Sequence, residues 1–210
     1  MDRFNRAKGF TLVEMLVSMS MFAVVSLGIV TYIGGTFRKI GLETRTAIAT
    51  NELKNALNLL SGEFRMGSMM SPYLPGNLPA TVRCGSNITV STNSLRFLVV
   101  HDDSTSSNGL RPIYVGYIYD PTTRELRRGE VASSSNTSCA VPASDPTSSA
   151  NAYTVATNVV AVDTNGDGTN EPIFSYAGSQ LSVNLGVELT SPGGWKNSQS
   201  VSTQIHLRRG

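Results

Sequence analysis

Apolar side chains are unevenly spread along the 210-residue chain. From Met15 to Ile33 there are 19 consecutive residues without a charge. As a helix they would span about 28 Å at ~1.5 Å per residue, close to a hydrocarbon core of ~30 Å. The block therefore predicts a membrane-spanning helix. Further on, Leu53, Leu57, Leu60 and Phe64 recur at spacings of four, three and four, one face of a helix. Glu52, Lys54, Asn55 and Glu63 are expected on its other faces. The stripe is expected to pack on the chain's own sheet, with a contact to another chain as the second reading. Gly34, Gly35 and Gly41 interrupt the run and are expected to allow a bend or local melting. The helix is predicted to end near Met66 to Met70, because the prolines and glycine of 71–76 cannot continue it.

From Ala80 onward short β-like runs alternate with Gly, Pro, Ser and Asn. Predicted strands are Ile88–Val90, Leu95–Val100, Ile113–Tyr119, Tyr153–Val162, Ile173–Tyr176, Leu181–Leu189 and Val201–Leu207. Leu181, Val183, Leu185, Val187 and Leu189 alternate in period two, one face of a strand. Residues 119–124 (Tyr-Asp-Pro-Thr-Thr-Arg) read as a turn, with Glu125 to Arg128 returning as a hairpin partner. One long helix followed by antiparallel strands is an α+β pattern.

Charge changes the picture at one place only. Lys and Arg number 17 against 15 Asp and Glu, a net charge of +2. Arg3, Arg6 and Lys8 against Asp2 hold all of it within the first nine residues. Basic residues ahead of an apolar span fit the positive-inside rule and predict a cytoplasmic amino end, the rest crossing a bacterial inner membrane. A near-neutral remainder argues against nucleic-acid binding. Two His and two Cys leave little for His catalysis or a zinc site. No Gly-x-Ser-x-Gly elbow or phosphate loop is present, so no enzymatic activity is expected.

Three readings of the amino terminus compete. A secretory signal has a shorter apolar core and a small-x-small cleavage site, and 32–36 (Tyr-Ile-Gly-Gly-Thr) is a weak one. A plain anchor explains length and charge but not Glu14, a carboxylate costing several kcal/mol in lipid unless paired. Lys8-Gly9-Phe10-Thr11-Leu12-Val13-Glu14 resembles the type IV prepilin signal, which accounts for all three features. The resemblance implies prepilin peptidase cleavage between Gly9 and Phe10, N-methylation at Phe10, and an assembly role for Glu14. The Glu14 carboxylate would pair with the Phe10 ammonium of a neighbouring subunit and offset the burial of both charges.

The resemblance also implies the pilin fold, a long amino-terminal helix packed on an antiparallel β-sheet. Residues 1–9 would be the leader, 10–35 the transmembrane and filament-core helix, 36–70 an amphipathic helix, and 71–210 a β-rich domain outside the inner membrane. Residues 51–70, the 117–128 hairpin, 173–176 and 204–209 resemble PilW-type minor pilins and the GspJ-like pseudopilins. Implied partners are prepilin peptidase, other minor pilins and the major pilin, a possible tip adhesin, and the inner membrane before assembly at the cell surface. The alternatives are a J-type pseudopilin of type II secretion, or a DNA-binding competence pilin using Arg124, Arg127 and Arg128.

No cofactor is expected to be required. Cys84 and Cys139 fall where disulfides are permitted. One bridge is expected, closing about 55 residues for roughly 4 kcal/mol in the chain-entropy model; two free thiols are the other reading. Asp163, Asn165, Asp167 and Glu171, spaced by Gly166 and Gly168, place oxygens as a small calcium loop would. An EF-hand is excluded because its twelfth position is Phe174. A polar Asx/Gly turn is the competing reading. His101-Asp102-Asp103 is expected to be a solvated turn, His206 one face of the last strand, and Trp195 local packing or a loop-tip contact.

Overall fold

The computed structural model describes residues 10–69, 88–102, 110–132, 144–148, 150–177 and 180–206. Two compact units divide between Glu43 and Thr44. The first is helical: α1 runs Leu12–Met69, and its portion up to Glu43 exposes apolar side chains all round, among them Leu16, Phe22, Val30 and Phe37. A helix apolar on every side buries itself in lipid or among other helices. The local melting expected at Gly34, Gly35 and Gly41 is absent, and helix continues through all three. Each glycine costs only about 1 kcal/mol of propensity, which cooperative propagation along a long helix absorbs.

The second unit combines α1 from Thr44 onward with two sheets. In the first sheet β1 (Thr89–Val90), β2 (Ser94–Asp102), β3 (Leu110–Asp120), β4 (Glu125–Ala132) and β5 (Ala152–Ala156) follow in chain order, all antiparallel. In the second, β6 (Val159–Val160) and β7 (Phe174–Ala177) pair with β8 (Gln180–Thr190). Strand β9 (Lys196–His206) pairs with β8 over its whole length, so β6 and β7 share the opposite edge of β8. The expected α+β pilin fold is therefore present, with two sheets where one was expected.

The expected strand Tyr153–Val162 is the point of division. Asn158 has φ 57° and ends the run, so that β5 and β6 belong to different sheets. Its carbonyl accepts the Glu188 N–H at 3.1 Å, and the Val159 N–H donates to the Arg124 carbonyl at 2.9 Å. Asn tolerates this left-handed conformation better than most residues.

The leucine stripe packs where it was expected to. Leu53, Leu57, Leu60 and Phe64 are buried in one core with Leu95, Phe97 and Leu126 of the first sheet and Leu181, Val183 and Leu185 of the second. Phe64 joins the sheets: its ring lies edge-on to Phe97 at 5.2 Å and to Tyr176 at 6.3 Å. On the other face of the first sheet, Gly116 and Gly129 are cross-strand partners. Residues 145–147 pass over them so closely that a Cβ on Gly129 would lie 1.7 Å from the Pro146 carbonyl oxygen. Arg96, next in that row, holds Asp145 at 2.6 Å.

Candidate functional site

Glu14 sits in the first turn of α1 and closes a reciprocal cap with Thr11. Its Oε2 accepts the Thr11 N–H at 3.0 Å and the Thr11 hydroxyl at 3.1 Å, while the Thr11 Oγ1 accepts the Glu14 N–H at 3.3 Å. This is a capping box, which satisfies orphan amides at a helix start. The Thr-x-x-Glu spacing was its sequence signal, and the sequence reading passed over it. Phe10, immediately before Thr11, is exposed, whereas Gly9 lies outside the described residues. The carboxylate thus has partners within its own chain and is exposed.

A second constellation lies in the β-rich unit. Glu63, expected on a polar face, is buried instead. It is three residues from Leu60 and seven from Ala56, on the flank of the buried stripe, and that was the missed signal. Arg128 donates to it through Nε at 3.0 Å and Nη2 at 2.5 Å, and the Tyr117 hydroxyl donates to its Oε2 at 2.6 Å. Arg128 also donates to the Tyr153 hydroxyl at 3.0 Å and to Glu130 at 3.0 Å, so every guanidinium nitrogen is engaged. Burial, reinforced by the Glu63 carboxylate, pushes the Tyr117 hydroxyl well above its ordinary range. Burial works against the Arg128 charge, but Glu63 outweighs it and pushes the guanidinium further up.

This arrangement removes the basic spot considered for Arg124, Arg127 and Arg128. Arg128 faces the core. Arg127 donates to the Ala152 carbonyl at 2.8 Å, and Arg124 lies 3.6 Å from Glu188. The three guanidinium groups bind different partners.

The 163–171 loop is closed by its own amides. Asp163 accepts the Gly166 and Gly168 N–H groups at 2.6 and 2.7 Å. Glu171 accepts those of Thr164 and Asn165 at 2.6 and 3.1 Å. Asn165 accepts the Asp167 N–H at 2.9 Å, and Asp167 accepts the hydroxyl and N–H of Thr169. These bonds to Thr169, the hydroxyl first, hold the Asp167 carboxyl below its usual range. Among the described residues no three of His, Cys, Asp and Glu gather as they would around a metal ion. Cys84 and Cys139 lie outside the described residues. His101 and Asp102 end strand β2 instead of forming a turn, and Asp103 lies outside the described residues. His206 closes β9 and is exposed. Trp195 stands exposed at the β8–β9 loop, its indole beside Gly193.

The family model of the prokaryotic N-terminal methylation motif matches residues 4–30. No curated protein and no solved structure matches the chain. The match covers Phe10, Glu14 and the head of a helix long and apolar enough to cross a membrane, with none of its most apolar stretch buried. Together with the helix-on-sheet architecture, this motif supports a prepilin-type, type IV pilin-like protein: a membrane-anchored structural subunit processed by prepilin peptidase.

Proposed function

We propose that this chain is a minor pilin, a low-abundance subunit that primes or caps a type IV pilus. The observation that carries the reading is the methylation motif leading directly into a helix apolar on every side. Such a helix is stored in the bilayer and then packs among the helices of other subunits. Residues 1–9 are the leader, removed between Gly9 and Phe10; the amino end is cytoplasmic before assembly and the β-rich part lies outside. Glu14 exchanges its local cap for the methylated Phe10 ammonium of a neighbour, which sets axial register. Cys84 and Cys139 form a bridge in the oxidising compartment. Calcium, where it binds at Asp163, Asn165, Asp167 and Glu171, is a weak accessory.

Mass spectrometry of the mature amino terminus, with and without prepilin peptidase, tests the class. N-methylated Phe10 that depends on the peptidase supports it; an uncut terminus under both conditions overturns it. Co-purification with a major pilin or tip adhesin is expected. Recovery with secretion-channel components would assign the chain to the J-type pseudopilins instead. A Glu14→Val chain is expected to be processed yet fail to enter filaments, and normal incorporation would overturn the register role.

A further inference from the structure

Strand β9 is eleven residues long and pairs with β8 at every position without a bulge. Its other edge has no strand partner among the described residues. Edge strands are normally guarded by charge, proline, a bulge or shortness. From Asn197 to Ile205 this one has no charged residue and no Pro or Gly, only Ser, Thr, Gln, Asn, Val and Ile. The Ser191 N–H donates to the Trp195 carbonyl at 2.8 Å, which sets the ladder phase. Main-chain groups of odd-numbered residues then face β8, and those of Ser198, Ser200, Ser202 and Gln204 face outward.

Two further features mark this edge as a template. Val201 and Ile205 lie at the rim of the core, Val201 half-buried and Ile205 buried, so inward side chains of one more strand would extend that core. Trp195, the chain's single tryptophan, stands 77% exposed at the start of the edge. Its loop is held by Ser191, whose carbonyl accepts the Gly194 N–H at 2.9 Å and whose Oγ accepts the Trp195 N–H at 3.2 Å. An exposed indole on a hydrogen-bonded loop is a favourable contact, because an aromatic side chain has few rotamers to lose on burial.

We propose that β9 is a strand-addition site, occupied by an extended, uncharged segment of a neighbouring prepilin-type subunit. The identity of the partner rests on the function proposed above; the open edge does not. Main-chain hydrogen bonds supply the affinity in such pairing, and side-chain pockets supply the selectivity. Charge selects the segment, because a charged residue placed centrally against 198–204 would meet no counter-charge. Trp195 lies where it can cover one end of the added strand.

Hydrogen exchange on the full chain in detergent micelles tests the edge. Amides of Ser198, Ser200, Ser202 and Gln204 should exchange fast, and those of Gln199, Val201 and Thr203 slowly. Slow exchange of both sets in the isolated chain would overturn the proposal whatever the state of Phe10. The partner is tested with a benzophenone side chain replacing Ser200 in cells that make the filament. The expected adduct maps to an uncharged extended segment of another prepilin-type subunit. Ser202→Pro, which removes an outward donor and leaves the β8 ladder intact, should lower adduct yield about tenfold, while Ser202→Ala preserves it. An adduct to a helix or to a second copy's β9, or one insensitive to Ser202→Pro, would overturn it. So would no adduct in cells whose Phe10 is methylated, a result that leaves the pilin reading standing.

Discussion

Glu63 on α1 and Arg128 on β4 form a buried ion pair, Nη2 to Oε1 2.5 Å, with each side chain only 7% exposed. Little of either charge reaches water, and the pair is further hydrogen-bonded through Tyr117, Tyr153 and Glu130. A buried pair of this kind adds little net stability over an apolar replacement, because desolvation consumes most of the attraction. Its contribution is positional, since only one rotation and translation of the 44–69 helix segment brings Glu63 onto Arg128. The leucine stripe alone would tolerate a slip.

Removing one partner should therefore cost far more than removing both. Glu63→Met leaves Arg128 buried without the Glu63 carboxylate, and a loss of about 3–5 kcal/mol is expected. The double change Glu63→Met with Arg128→Leu should recover most of it. Chemical unfolding of the four chains of this cycle measures the coupling. Equal, additive losses would show that the pair does not act as a unit.

Alkaline pH should expose Tyr117. Its pKa is raised in the folded chain above the unfolded value of about 10. The stabilisation is fully present below that value and falls as pH rises past it, by about 1.4 kcal/mol per pH unit. Tyr117→Phe should remove this slope, although it costs stability at neutral pH. On the acid side, backbone N–H donation from Thr122 holds the Asp120 carboxyl below its ordinary range. Its contribution is present above pH ~4 and is lost as pH falls through the lower folded value. Unfolding midpoints across both ranges check the two signs.

Glycine positions should separate by what surrounds them. Gly129→Ala would push a Cβ into the Pro146 carbonyl oxygen, a backbone atom with no rotamer to yield. The 145–147 segment must lift from the sheet, and a loss of about 3 kcal/mol or more is expected. At Gly62, inside α1, a Cβ meets nothing within 4 Å. Gly62→Ala should stabilise by about 0.5–1 kcal/mol through helix propensity. Thermal melts of the two variants should move in opposite directions.

Calcium at the 163–171 loop must compete with the amides that its carboxylates already accept. With a dissociation constant near 1 mM, as in weak extracellular sites, 10 mM calcium would add about 1.4 kcal/mol. The melting temperature should rise with calcium but not with magnesium, and Asp163→Asn should abolish the rise. No shift at 10 mM would remove calcium from the proposal.

What could be read from the chain alone was written in short-range patterns. The charge-free run announced a helix long and apolar enough to cross a membrane, and the 8–14 signal announced the methylation motif, because both are local patterns. The Leu53, Leu57, Leu60 and Phe64 spacing identified the buried face, and period-two alternation located β8 to within a residue at each end. Local melting at Gly34, Gly35 and Gly41 is absent because glycine's small intrinsic penalty is absorbed by the cooperativity of a long helix. Other features depended on residues far apart. Division into two sheets follows from Asn158, its bond to Glu188 and the bond of Val159 to Arg124, partners that no window around 153–162 contains. Glu63 looked solvated because its partner lies 65 positions away. The Gly116–Gly129 pair acquires meaning only once Pro146 passes above it. Periodicity reports which face of an element is apolar. Which distant charge, carbonyl or sheet edge meets that face is decided by packing, and packing exists only in the folded chain.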